Sequence, residues 1–177
     1  MSVDITNIEI GEGVLGITYG VDDDGSGGTA IADVGATLGA ELSYKKNHKD
    51  IEIGQVLAAV KSPVIGEEGT FKVKMLESSI NNLAIALGGS PSLVTTDATS
   101  ERYVFGNNKT TVYHKLTYTT PQIDDSSKDD IIIVYRARVD DISPVGFSKT
   151  EERAFEVTFK MFPETSNWSL FEFTHDK

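Results

Sequence analysis

Apolar and polar residues alternate along much of this chain, and this alternation restricts its possible folds more than any other feature. In TFKVKM, Phe71, Val73 and Met75 fall on one side of an extended chain, with lysines between them. The segments TVYHKLTY (111–118) and RAFEVTFKM (153–161) repeat the pattern. Because successive side chains of a strand point to opposite faces, the pattern predicts strands with one buried face. We therefore expect a mainly antiparallel β fold.

Turn residues separate these segments. We assign KKNHKD (45–50), KSPVIGEEG (61–69) and DDSSKDD (124–130) to loops between strands. In IIIVYRARV (131–139) one row is predicted to consist of Ile131, Ile133, Tyr135, Ala137 and Val139. No internal repeat and no long linker interrupts the chain, so residues 1–177 are expected to form a single domain.

One segment, LESSINNLAIALGG (76–89), changes to helical spacing and predicts a short helix at about 79–87. Ser78 or Ser79 can cap its N-terminus, and Gly88 can end it. The predicted inward stripe consists of Ile80, Leu83, Ala84 and Leu87. The predicted outer side consists of Asn81, Asn82 and Ile85.

The chain is strongly acidic, with 16 basic residues, 27 acidic residues and a formal net charge of −11. Adhesion to a nucleic-acid backbone requires clustered lysine and arginine, so that class of function is disfavoured. The wall of a channel through which DNA slides should instead repel phosphate. The chain has no cysteine, which excludes disulfides and thiolate chemistry. MSVDITNIEI lacks the features of a secretory signal, and no apolar run could span a bilayer, so we expect no membrane association.

Three motifs look like binding or catalytic signatures but lack the necessary context. GEGVLG (11–16) matches the dinucleotide fingerprint, but strand and glycine-loop residues follow it instead of a helix. DDDG (22–25) fails the register of a calcium loop at both ends. The three histidines accompany neither a nucleophile elbow nor a zinc-binding pair. We therefore expect no enzymatic activity, no metal and no cofactor.

A distinctive succession of elements runs from Ala36 to Gly89. It comprises ATLGAELSY, the DIEIGQ strand (50–55), a bent connection through Pro63, the GEEGTFKV strand (66–73) and the LESSINNLAIALGG helix. This succession resembles the tail tube proteins of tailed bacteriophages. The strand-rich remainder, ending in FEVTFKMFPETSNWSLFEF (155–173), is compatible with that family.

The resemblance implies an antiparallel β-sandwich or barrel with one flanking helix. Proteins of this family assemble as hexameric rings whose strands join into one inner barrel, and the rings stack into a hollow tube for DNA passage. In GATLGAELSY (35–44) small or polar side chains alternate with apolar ones, which suits a sheet between a core and a water-filled lumen.

The resemblance leads us to expect three functional surfaces on this chain. We expect an acidic lumen face that includes Thr37, Glu41, Ser43 and Glu52. We expect a basic hairpin tip that contacts the next ring, made of Lys45, Lys46, Asn47, His48 and Lys49. We expect the outer side of the helix to contact a neighbouring subunit through Asn81, Asn82 and Ile85.

The implied partners are further copies of the chain and other tail proteins, namely the tape measure, tail terminator and distal tail proteins. DNA would only pass through, and the protein would reside in the virion tail after assembly in the host cytoplasm. Two alternatives remain open. One is another tail component or a secretion-tube protein on the same fold. The other is a monomeric β-sandwich carbohydrate-binding module, which should present a row of exposed aromatic side chains.

Overall fold

The computed structural model describes residues 8–10, 13–31, 34, 37–52, 59–76, 79–89, 94–104, 106, 111–122, 124–143 and 154–177. Within these ranges the chain forms thirteen strands and one helix. The strands before the helix are β1 (Ile8–Ile10), β2 (Val14–Val21), β3 (Gly27–Ile31), β4 (Thr37–His48), β5 (Ile51–Glu52), β6 (Ala59–Lys61) and β7 (Val64–Met75). Helix α1 (Ile80–Ala86) is followed by β8 (Thr95–Thr96), β9 (Glu101–Arg102), β10 (His114–Pro121), β11 (Asp129–Ile142), β12 (Phe155–Met161) and β13 (Phe171–His175).

Nine strands form one antiparallel sheet in the order β1-β4-β7-β12-β11-β10-β2-β3, with β13 paired to β11. The first half of β11 pairs with β10 on one edge and with β13 on the other, and β12 pairs with the second half. Strand β13 therefore lies along the same edge of β11 as β12. This arrangement confirms the predicted mainly β fold with one short helix.

The sheet folds over on itself and encloses the core. Phe71 on β7 and Tyr118 on β10 have ring centroids 5.8 Å apart, although two strands separate them in the hydrogen-bonded order. In a flat sheet three strand spacings would hold these strands about 14 Å apart. The hydroxyl of Thr37 also donates to the carbonyl of Gly13, 2.5 Å away, just before β2. Among the described strands β1 and β3 do not pair, so the sheet is not a closed barrel.

The alternating segments occupy the strands that the sequence predicts. The side chains of Phe71, Val73 and Met75 are buried on β7, and those of Phe155, Val157, Phe159 and Met161 are buried on β12. Both strands contribute to one continuous core cluster, which also includes Leu15, Tyr118 and Val134. The burial of these apolar side chains supplies the main driving force for this fold.

Two β-bulges change which face their strands present. On β4, Thr37 pairs with Met75 and Ala40 with Val73, so two residues oppose one. Gly39 takes a φ of +74° there, which a glycine adopts without steric cost. On β11 a similar shift lies between Val134 and Ala137. The prediction of one continuous β11 row is therefore wrong. Ile132 and Val134 are buried before the bulge and Ala137 after it, so Ile131 and Ile133 do not share a face with Ala137.

Helix α1 has the predicted position and both predicted caps. Ser79 accepts a hydrogen bond from the N–H of Asn82 at 3.1 Å. Gly88, with a φ of +72°, donates to Ile85, and Gly89 donates to Ala84, which completes a Schellman motif. A Cβ atom on Gly89 would lie 1.9 Å from the hydroxyl oxygen of Tyr103, so that position has no room for a side chain.

Candidate assembly surfaces

The outer face of β4, β7 and β12 carries charges of both signs. Cross-strand partners place Glu41 beside Lys72 and Glu156 beside Lys74, while Lys160 lies opposite Thr70. The Lys72 ammonium lies 2.9 Å from the Glu156 carboxylate, and that pair raises the pKa of Lys72. With Glu41, Glu156, Lys72, Lys74 and Lys160 on it, this face is close to neutral. The expectation of an acidic face around Glu41 is therefore wrong.

The four residues predicted to face the lumen do not share one surface. Glu41 and Ser43 lie on this outer face, opposite in direction to the buried Ala40 and Leu42. Thr37 is buried, because the bulge at Gly39 shifts the alternation by one residue, and Leu38 is exposed in its place. The assignment of Thr37 to the lumen is therefore wrong. The side chain of Glu52 lies outside the described residues.

A second outer face, formed by β2, β10 and the first half of β11, has a different character. One cross-strand row runs Gly16, Thr117, Ile133, and the next runs Val14, Thr119, Ile131. Val14 is 54% exposed, while both isoleucines are half-buried. These two rows contain no charged side chain. We call these six residues the threonine–isoleucine face.

The hairpin formed by β4 and β7 extends beyond the core. Its last core pair is Leu42 and Phe71, and pairing then continues through Lys45 opposite Glu68 to His48 opposite Val64. The small pair β5 and β6 continues it further. We call residues 45–68 the arm. At about 3.3 Å per residue the eight positions from Lys45 to Glu52 extend roughly 25 Å.

Most of the basic stretch lies within a strand, not in a turn. Lys45, Lys46, Asn47 and His48 belong to β4, and only Lys49 follows it. The prediction of a basic hairpin tip is therefore wrong. The predicted loop at 61–69 is likewise mostly strand β7. Opposite charges across the two strands favour this pairing, and Lys46 lies 3.5 Å from Glu67.

No arm side chain is buried among those that the structure describes. Three of them are apolar and well exposed, namely Ile51 at 45%, Val64 at 47% and Ile65 at 64%. An isolated half-exposed apolar residue is ordinary, but these three lie together on a projecting hairpin, away from the described core of their own chain. The arm is therefore a candidate contact with another molecule.

Helix α1 presents a different face from the predicted one. Asn82 and Ile85 are buried within their own chain, so their placement on the outer side is wrong, and only Asn81 is exposed. The Asn82 side-chain amide donates to the carbonyl of Val34 at 2.6 Å, which holds this polar residue inward. Leu87, assigned to the inward stripe, is 43% exposed at the C-cap.

A hydrogen-bonded turn after β12 exposes the only tryptophan of the chain. Trp168 is 71% exposed and has a φ of +60°, the left-handed conformation that non-glycine residues rarely adopt. The Glu164 carboxylate accepts from the N–H groups of Ser166 and Asn167 at 2.8 Å, and the Trp168 N–H donates to the Glu164 carbonyl. Burial raises the pKa of Glu164, but these hydrogen bonds outweigh it and leave the pKa lowered.

An open cleft lies beside Trp168, at the base of the arm. Tyr44, Lys46 and Glu67 line its arm side, and Trp168, Ser169, Leu170 and Phe171 line the other. The rings of Tyr44 and Phe171 meet edge to face with centroids 5.5 Å apart. Burial raises the pKa of Tyr44, and Glu67 raises it further. The Tyr44 hydroxyl and Glu67 both raise the pKa of Lys46. The alternation pattern did not predict that Trp168 would be exposed, and its one local signal is its polar setting in SNWS (166–169).

The described part of the chain offers little for catalysis. It contains no group of three or more histidine, aspartate or glutamate side chains that could hold a metal ion. Its helix is too short to cross a membrane. Its one strongly perturbed histidine, His114, is fully buried among apolar neighbours, and burial lowers its pKa to about 4. Such a group has no access to a substrate.

Comparison with known proteins gives no family assignment. No protein-family model matches the chain, and no curated protein matches it. Among solved structures, the chain is similar to one from the virion of a native gene transfer agent particle. The identity is 9%, the match covers 89% of this chain and 95% of the other, and the TM-score is 0.43.

Proposed function

We propose that this chain is a structural protein of a phage-like virion tail. In this proposal it assembles into hexameric rings, and the rings stack into a hollow tube through which DNA passes. The observation that carries the proposal is the arm, a long hairpin with exposed Val64 and Ile65 and no buried side chain among those described. The described part of the arm buries no side chain against the core of its own chain, but it can bury apolar surface against another copy.

The two outer faces suit different roles in a tube. We assign the mixed-charge face with Glu41 and Ser43 to the lumen, because a near-neutral surface holds no phosphate backbone tightly. We assign the uncharged threonine–isoleucine face to contact with a neighbouring copy. Among the described strands, β1, β3 and β13 each have one edge without a partner strand, and neighbouring copies would cover these edges.

In this proposal the arm also gives the growing assembly a direction. A protrusion that fits a different surface on the next copy makes a head-to-tail contact, which generates rings or open stacks and not closed dimers. In this assignment the arm, including Lys45, Lys46, Asn47, His48 and Lys49, reaches the next ring. Asn81 is the one residue of the predicted helix surface that remains available for a subunit contact.

Sedimentation velocity over a range of protein concentrations tests the proposal. We expect large assemblies from the unaltered chain and a loss of assembly from Ile65→Asp, because the substitution places a charge on the exposed arm. Leu38→Asp is the matched control, since Leu38 is 45% exposed on the proposed lumen face. A chain that stays monomeric at every concentration contradicts the proposal, as does equal assembly of the Ile65→Asp variant.

The lumen assignment has its own test in assembled particles. Replacement of Glu41 and Glu52 by lysine should slow DNA ejection without blocking assembly, because added positive charge attracts phosphate. Ejection at an unchanged rate would remove Glu41 from the lumen.

One observation favours the carbohydrate-binding alternative. Trp168 is 71% exposed beside the cleft, and Phe173 is 54% exposed on β13. Exposed aromatic rings can stack on sugar faces, so a glycan-binding screen with Trp168→Ala as its control distinguishes this function. Binding that Trp168→Ala abolishes, in a chain that does not assemble, would replace the tail-tube proposal.

A further inference from the structure

Four basic side chains from three strands lie together on the outer surface of the sheet. Arg136 and Arg138 flank the buried Ala137 on β11, so both point away from the core. Lys160 on β12 is the cross-strand partner of Arg138, and Lys115 on β10 lies opposite the bulge that contains Arg136. We call Lys115, Arg136, Arg138 and Lys160 the basic band.

Aromatic rings hold the two arginines of the basic band in position. The Arg136 guanidinium lies 3.9 Å from the centroid of the Tyr113 ring, and the Arg138 guanidinium lies 5.2 Å from that of Phe162. The two rings meet edge to face with their centroids 5.6 Å apart. Because each guanidinium already lies over a ring, an incoming anion has less side-chain freedom to remove when it binds.

Carboxylates compensate only part of the charge of the basic band. Asp23 pairs with Arg136. Asp140 lies 3.6 Å from Arg138, but both side chains are well exposed, so this pair contributes little. Within the described ranges neither lysine of the basic band forms an ion pair. Arg138 and Lys160 are also like charges directly across two strands, which destabilises a sheet in the absence of an anion.

The layout of the basic band suits a polyanion with regularly spaced charges. Neighbouring strands lie about 4.8 Å apart and alternate residues of one strand about 6.6 Å apart, so the path through the four positions is roughly 16 Å long. One strand of a DNA duplex carries a phosphate for about every 3.4 Å of helix axis, so several phosphates face a path of that length. Lys160 also lies on the mixed-charge face that we assign to the lumen.

We infer that the basic band contacts the phosphodiester backbone of DNA that passes through the tube. The inference rests on the proposed function, since it names the place on the lumen wall where the moving duplex makes contact. Guanidinium groups donate to phosphate oxygens, and the two lysines add positive charge. The contacts are independent of base sequence and weak, because the rest of this acidic chain repels phosphate. A duplex therefore makes and breaks them as it moves.

Fluorescence anisotropy of a labelled DNA duplex, titrated with the full chain at roughly 50 to 200 mM salt, tests the inference. The band variant carries Lys115→Glu and Lys160→Glu. The matched control carries Lys49→Glu and Lys177→Glu, two exposed lysines outside the basic band. Both variants have the same net charge, so they differ only in where the charge has changed.

We expect the unaltered chain to bind the duplex with an affinity that falls steeply as the salt concentration rises. The band variant should bind at least roughly 10-fold more weakly, and the slope of its affinity against salt should be smaller by about two, one for each lost phosphate contact. The matched control should bind within about 3-fold of the unaltered chain, because salt screens distant charges. The absence of binding at the lowest salt concentration, or equal losses in both variants, would overturn the inference.

A milder pair of substitutions keeps the test independent of folding defects. Lys115→Gln and Lys160→Gln add no negative charge to the sheet, and they should reduce the salt slope by the same amount as the glutamate pair. An unchanged slope in a folded glutamine variant contradicts the DNA contact.

Sedimentation of the same samples separates this inference from the proposed function. Assemblies that bind no duplex leave the tube standing and remove the DNA contact, whereas duplex binding without assemblies retains the phosphate-binding band and removes the tube. If neither occurs, both proposals fail. Loss of assembly in the band variant alone, in chains that bind no duplex, would overturn the DNA contact in favour of an acidic segment of a second copy.

Discussion

Replacement of His114 by leucine should make the protein more resistant to acid. His114 lies on β10 opposite Tyr19 on β2 and Ala137 on β11, and its ring meets that of Phe159 at a centroid distance of 6.2 Å. The residue is completely buried, and neither ring nitrogen has a hydrogen-bond partner. Leucine has a similar size and no polar atom, so it removes the buried imidazole and largely preserves the packing.

The magnitude follows from the pKa. Burial lowers the pKa of His114 from 6.5 to about 4. This difference in pKa between the unfolded and the folded chain corresponds to about 3 kcal/mol in the free energy of unfolding. The neutral ring is the form that the folded state favours, so the unfolded chain binds the proton more readily. Stability is therefore highest above pH 6.5, falls as the pH drops toward 4, and loses nothing further from this group below that value. At neutral pH the leucine variant should also gain about 1–3 kcal/mol, because two unpartnered polar atoms are removed.

Urea denaturation at several pH values between 7.5 and 4, at a concentration where the chain is monomeric, measures this difference. The carboxylates titrate equally in both proteins, so the gap between the two curves isolates His114. His48 and His175 are exposed, and their replacement by glutamine in both backgrounds removes their contribution. The gap should widen by about 3 kcal/mol as the pH falls to 4. Parallel curves would refute the burial argument.

Two further stability predictions concern the helix region. Gly89→Ala should lower the free energy of unfolding by about 1–3 kcal/mol, because its Cβ would collide with Tyr103; Gly66→Ala is the control, since the nearest atom lies 4.0 Å away. Ile85→Ala should cost about 2–5 kcal/mol as a core truncation, whereas Asn81→Ala should change stability by less than about 0.5 kcal/mol. Chemical denaturation measures all four variants, and equal stability within either pair would contradict the packing described above.

The strands that the sequence predicts best are those with unbroken alternation. From Phe71 to Met75 on β7, and along all of β12, each apolar residue is buried and each residue between is not, because a half-buried strand imposes a period of two. The helix and its caps were predicted for a similar reason, since Ser79 and Gly88 act through local backbone hydrogen bonds. Features that depend only on neighbouring residues can therefore be predicted from the sequence.

The wrong predictions lie where contacts between residues far apart in the sequence determine the structure. The bulge at Gly39 turns Thr37 inward, where its hydroxyl reaches the Gly13 carbonyl, a partner 24 residues away. The extension of β4 through Lys46 depends on Glu67 in the facing strand. The helix turns Asn82 inward because the Val34 carbonyl accepts its amide. Thr37 and Asn82 are thus held inward by groups that periodicity does not reveal, while Lys46 stays exposed and pairs across the two strands.

The most direct test of tube formation is electron microscopy of the concentrated, purified protein, with averaging of the end-on views. We expect six subunits around an open centre, and side views of uniform width. Particles of single-chain size at every concentration and salt strength would contradict tube formation, and so would filaments without a central channel.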